Sequence, residues 1–176
     1  MSSFVVDVES DGPIPGKYSM VCFGVVKVDR ELKTTFYGEV KPISSEWIPE
    51  ALAVSKITRE QHELFNDPKE VMVEFNHFLN SNNDGNRMIF YSDNLAYDWQ
   101  FINYYFHYFL GQNPFGFSGR RIGDIYSGLV KNLYKGSAWK KLRQTSHTHN
   151  PVDDAKGNAE ALIQINDMFH LNGLIS

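Results

Sequence analysis

The chain has 176 residues, 42% of them hydrophobic and 22% charged, which suits one compact domain over residues 1–176 with a full core. A net charge of −4 excludes a protein that coats nucleic acid through a broad Lys/Arg surface, but not an acidic site that meets phosphate through metal. The lone Cys22 excludes a disulfide framework and a Cys-based zinc site; with no basic leader and no membrane-length apolar run, the expectation is a soluble, cytoplasmic protein.

In chain order, Phe4 to Glu9 reads as a strand, followed by strands at Ser19 to Val28 and Thr34 to Lys41. The turns between them are Asp11-Gly12-Pro13 and Asp29-Arg30-Glu31, so the three strands form an antiparallel meander. Pro68 opens a helix through Val71, Phe75, Phe78 and Leu79 that ends in the polar loop Ser81 to Asn86. A strand follows at Met88 to Tyr91, then a helix from about Asp98 to Leu110, stopped by Gly111 and Pro114. Arg121 to Ile125 reads as a short fifth strand, Tyr126 to Tyr134 as a helix, and Pro151 to about Leu171 as the last helix. Lys131 to Arg143 gathers five basic residues and reads as a solvated helical face. The order βββαβαβαα favours an α/β domain with a mixed sheet.

Three short segments carry the chemistry. Asp7 and Glu9 stand two apart on a strand, so their carboxylates share one face about 6.6 Å apart along it, with Val6 and Val8 on the other. Two acids inside an apolar strand are costly to bury without a cation. Asp11 extends the pattern, but a calcium loop needs its ligands in a turn with a central glycine, so Asp11 belongs to the turn with Gly12 and Pro13. Asp98, in Asn94-Leu95-Ala96-Tyr97-Asp98, stands at a strand-to-helix junction, where α/β sites are built; taken alone it reads rather as an N-cap or first-turn aspartate that complements the helix dipole. In His149-Asn150-Pro151-Val152-Asp153-Asp154-Ala155, Asn150 suits the cap and Pro151 the first helical position, leaving His149 just outside the helix. Asp153 then reaches back to the cap, and Asp154 is the freer ligand, flanking the stripe of Ala155, Ala159, Leu162 and Phe169.

Together these segments resemble the DEDDh 3′-5′ exonuclease family over nearly the whole chain. Asp7-Val8-Glu9 matches its first motif, Asn94 to Asp98 its second, and His149 with Asp154-Ala155 its third; Glu160 continues the similarity, and Pro151 departs where the family often has a small residue. Ala51-Leu52-Ala53-Val54-Ser55-Lys56-Ile57-Thr58 is similar to the RNase T-like exoribonuclease branch. The resemblance implies an RNase H-like α/β fold, a mixed sheet of three antiparallel and two parallel strands flanked by helices. It implies two divalent ions, Mg²⁺ or Mn²⁺, held by Asp7, Glu9, Asp98 and Asp154, with His149 as general base taking a proton from water. The implied partner is the 3′ end of single-stranded nucleic acid, RNA favoured over DNA, with a catalytically dead binding module as the reading from another class. Ser10 and Gly12 are expected to contact the terminal nucleotide, and Trp99 to stack on a base. Core packing, or a contact with a second copy in a homodimer, explains Trp99 equally well.

Overall fold

A computed structural model describes residues 1–85 and 87–175. The apolar opening segment becomes the central strand, β1 (Ser2–Ser10), nearly all of it buried and therefore covered from both sides. It pairs antiparallel with β2 (Met20–Lys27), which pairs antiparallel with β3 (Thr35–Glu39). On its other edge β1 pairs parallel with β4 (Met88–Ser92), and β4 pairs parallel with β5 (Gly119–Arg121). The order β3-β2-β1-β4-β5 is the expected mixed sheet, three antiparallel strands extended by two parallel ones. Between β3 and β4 run α1 (Pro49–Val54), α2 (Arg59–Glu63) and α3 (Pro68–Ser81). Helix α4 (Leu95–Leu110) joins β4 to β5, α5 (Ile122–Leu129) follows β5 directly, and α6 (Pro151–Phe169) closes the chain.

Alternation along β1 sorts its side chains between two cores. Phe4, Val6 and Val8 pack with Phe75 of α3 and with Phe101, Ile102 and Tyr105 of α4. Val5 packs on the opposite face with Val26 and with Ala155, Ala159, Leu162 and Ile165 of α6. Each such buried Val, Leu or Phe contributes roughly 1.5–3 kcal/mol, so α6 is clamped across the face on which Asp7 and Glu9 lie.

Several boundaries differ from the sequence expectation. Helices α1 and α2 were not foreseen: at six and five residues they are too short to show a period. Thr58 and Gln61 nevertheless make a reciprocal capping box, a local signal that was there to be read. Helix α4 starts at Leu95 rather than Asp98, because Asn94 takes the cap position; of the two places expected for Asp98, cap or first turn, it takes the first turn. The fifth strand is Gly119–Arg121 rather than Arg121 to Ile125, and α5 replaces the helix expected at Tyr126 to Tyr134. The shift has a packing cause: a Cβ on Gly119 would fall 2.5 Å from Leu95 Cδ1, so the bare glycine lets the strand slide beneath α4. Lys131, at φ +53, breaks the chain after α5, and the basic stretch becomes two 3-10 turns, Leu133–Lys135 and Ala138–Leu142, instead of one helical face. Of the loop expected at Ser81 to Asn86, Ser81 still belongs to α3 and Asn86 lies outside the described residues. Among the described residues no helix is long and apolar enough to cross a membrane.

Candidate active site

The acidic residues meet because a glycine faces them. Asp7 of β1 stands opposite Gly24 of β2, and a Cβ on Gly24 would fall 2.2 Å from the carbonyl carbon of Pro151. The first turn of α6 therefore lies directly on β2, which brings Asp154 to β1. Ligand oxygens of Asp7, Glu9 and Asp154 all lie within 4.8 Å of one another. Asp98 arrives from the sheet's other half. Strand β4 ends at Ser92, short of Val8, so the Val8 amide lacks a strand partner and donates to Asp98 Oδ1 at 3.1 Å. Asp98 Oδ2 is buried and accepts no hydrogen bond among the described residues.

The electrostatics are those of a buried, like-charged cluster. Burial raises the Asp7 carboxyl well above its ordinary range, with Asp98, Glu9 and Asp154 adding to the shift and the Arg143 guanidinium opposing it. Burial, aided by Asp154, pushes Glu9 up to about 7. Burial likewise pushes Asp98 up to about 8, although the nearby Ser92 hydroxyl and then the Val8 amide work against it. Buried carboxylates crowded this way, one with an unpaired oxygen, fit a hard divalent ion, and an all-oxygen donor set suits Mg²⁺ or Mn²⁺.

The third segment is built around Asp154. Asn150 caps α6 by accepting from the Val152 and Asp153 amides at 3.0 and 3.3 Å. The expected reach of Asp153 back to the cap is replaced by a relay: the Asn150 amide donates to Thr148 Oγ1, and Thr148 Oγ1 donates to Asp153, both at 3.2 Å. Asp154 instead accepts from the Thr148 and His149 amides at 3.0 and 3.1 Å, folding the preceding loop over the cluster. His149 pays for that turn with φ +61, a strained conformation that His tolerates better than most residues. Its Nδ1 stands 3.7 Å from Glu9 Oε1, at the edge of the carboxylates. Glu160 anchors the loop's other end, accepting from the Gln144 and Thr145 amides at 2.8 and 2.7 Å.

Two residues near the cluster escaped the sequence reading. His147 places Nδ1 2.9 Å from Asp154 Oδ1. Arg143, grouped with a solvated face, is largely buried, stacked on Trp139 and bonded to Asn158 of α6. The nucleotide contacts expected at Ser10, Gly12 and Trp99 are placed differently from the acids. The Ser10 hydroxyl is buried, donating to the Gly12 carbonyl at 2.6 Å and meeting Tyr97 Oη at 2.5 Å. Gly12 is covered by the Tyr18 ring, and Trp99 packs edge-on against Phe90 with centroids 5.3 Å apart. Asp11 is fully buried in the turn, accepting from the Ser19 amide at 2.6 Å and pairing with Arg59 at 3.1 Å, away from any metal role.

A model of the Rv2179c-like 3′-5′ exoribonuclease domain matches residues 2–166. The chain belongs to this family. As a member of the Rv2179c-like family it is a DEDDh-type 3′-5′ exonuclease. The chain is also similar to the 3′-5′ DNA exonuclease Cap18 of Escherichia coli, 39% identical over 162 residues that cover 88% of this chain and 86% of that protein. Among solved structures, the nuclease domain of 3′hExo, a DEDDh family member bound to rAMP, superimposes with a TM-score of 0.77 at 17% identity, covering 97% of this chain and 94% of that one. Exonuclease I of E. coli in complex with a dA16 oligonucleotide gives 0.68 at 12% identity, covering 96% of this chain and 41% of the longer enzyme. These structural likenesses show the RNase H-like fold of this Rv2179c-like chain.

Proposed function

We propose that residues 1–176 act as one cytoplasmic exonuclease domain that removes nucleotides from the 3′ ends of single-stranded nucleic acid, using two divalent ions and His149 as general base. The observation that carries this reading is the convergence of Asp7, Glu9 and Asp154 within 4.8 Å, with Asp98 buried beside them and unpaired at Oδ2. Asp7, Glu9, Asp98 and Asp154 would hold the ions between them. When bound, the metal supplies Lewis-acid chemistry, making water more acidic and neutralising the charge that develops on the phosphoryl group. The protein's own part is to hold and move a proton. His149, at the edge of the cluster with Nδ1 3.7 Å from Glu9 Oε1, accepts the proton of the attacking water through its ring nitrogen. The Asp154 carboxylate, fixed by two backbone amides, keeps that loop in place. With the Ser10 hydroxyl engaged internally, the turn after β1 offers the terminal nucleotide its backbone rather than that side chain.

On the sugar, we favour DNA, because the relative that is 39% identical across most of both chains is named a DNA exonuclease. RNA is the second reading, favoured by the description of the family model and by the RNase T-like segment Ala51 to Thr58. Matched end-labelled DNA and RNA oligomers, incubated with Mn²⁺, Mg²⁺ or EDTA, test both parts. The reading predicts metal-dependent shortening from the 3′ end, faster on DNA. Faster RNA shortening would reverse the sugar preference, and no shortening of either would defeat the exonuclease reading.

A further inference from the structure

We propose that His147, His149 and Asp154 form a Zn²⁺ site that overlaps the catalytic cluster and switches it off when filled. One ligand atom from each residue lies within 4.8 Å of the other two. His147 Nδ1 and Asp154 Oδ1, 2.9 Å apart, are already near the roughly 3.3 Å edge of a tetrahedron with 2.0 Å bonds. The two imidazoles approach edge to face with centroids 4.4 Å apart, so a rotation of the His149 ring closes the set. The histidine side chains are 51% and 43% exposed, which leaves a fourth position for water.

The donor set differs in kind from the carboxylates beneath it. Two imidazole nitrogens and one carboxylate oxygen are borderline-soft and prefer Zn²⁺ or Co²⁺, whereas the four carboxylates prefer Mg²⁺ or Mn²⁺. The loop is held in advance: Asp154 by the Thr148 and His149 amides, the Thr148 carbonyl by Lys56 Nζ at 3.2 Å, and residues 144 and 145 by Glu160. Both sets claim Asp154. Zinc in the upper set therefore removes one carboxylate from the lower and occupies the His149 lone pair; the switching-off rests on His149 being the base, but the site itself does not.

The test uses the full chain and Co²⁺ as a spectroscopic stand-in. Wild type and Asp7→Asn, which keeps all three ligands, should both show the intense visible bands of tetrahedral cobalt at one equivalent, displaced by Zn²⁺. His147→Ala and the milder His147→Asn should lose them. In Mn²⁺-supported assays, zinc should inhibit the wild type reversibly, while the His147 variants keep the basal rate and need roughly tenfold more zinc or above for the same inhibition. Unchanged zinc sensitivity in both folded variants, or no tetrahedral cobalt spectrum in the wild type, would overturn the site. Loss of the basal rate in both His147 variants would also overturn it, by making His147 part of catalysis. If the wild type hydrolyses nothing, the exonuclease reading fails while the cobalt spectrum still decides the metal site.

Discussion

Neutralising Glu9 should stabilise the metal-free protein while destroying its activity. Burial, with Asp154 nearby, moves the Glu9 carboxyl from 4.5 to about 7. A raised acid pKa means that the folded state holds its proton over a range where the unfolded chain has released it. Stability is therefore lost as pH rises from 4.5 through 7. At 1.36 kcal/mol per decade the full loss is about 3 kcal/mol, and solvent screening of a partly accessible site brings it to roughly 2. Glu9→Gln keeps the shape and removes the charge. For a chain of this length, that gain corresponds to a melting temperature about 4–8 °C higher. Thermal unfolding in EDTA near pH 8.5 should show the variant melting above the wild type, with the gap closing near pH 5. Adding Mn²⁺ should reverse the order, since only the wild type has the full set of charges to bind it. A gap of the same size at both pH values would refute the reasoning, because it would trace the change to packing rather than to charge.

Asp154→Asn should be inactive, whereas Asp153→Asn, which loses only the hydrogen bond from Thr148, should stay largely active and lose about 1 kcal/mol or less, read from denaturant midpoints. Gly24→Ala should cost roughly 1–3 kcal/mol and weaken Mn²⁺ binding in calorimetry, because a Cβ pressed on Pro151 lifts α6 and carries Asp154 away from Asp7; unchanged stability and affinity would contradict that packing. His149→Ala should keep substrate and metal affinity while its turnover falls by roughly 10² to 10⁴-fold, and a wild-type rate would remove it from the mechanism.

The parts of the site that the sequence disclosed are those fixed by short-range geometry. The spacing of Asp7 and Glu9 places two carboxylates on one face of a strand whatever surrounds it, and Asn150-Pro151 sets the register that separates Asp153 from Asp154. Asp98 was legible as a junction residue but not in its detail, since its partner amide on Val8 is free only because β4 stops early, a fact of strand pairing. His147 and Arg143 were missed for the same reason: what matters about each is a contact with α6 that no local pattern announces. The short helices α1 and α2 and the displaced β5 fell to length and packing, which outweigh propensity in elements of three to six residues.

The central claim is that these carboxylates drive hydrolysis from a 3′ end, and one labelled-strand experiment tests it most directly. A 5′-labelled single strand incubated with Mn²⁺ should give a ladder shortening from its 3′ end. That ladder should be absent with EDTA, absent with Asp7→Asn protein that remains folded, and blocked by a 3′-phosphate. Unchanged turnover by Asp7→Asn, or cutting of circular single strands as fast as linear ones, would contradict the account.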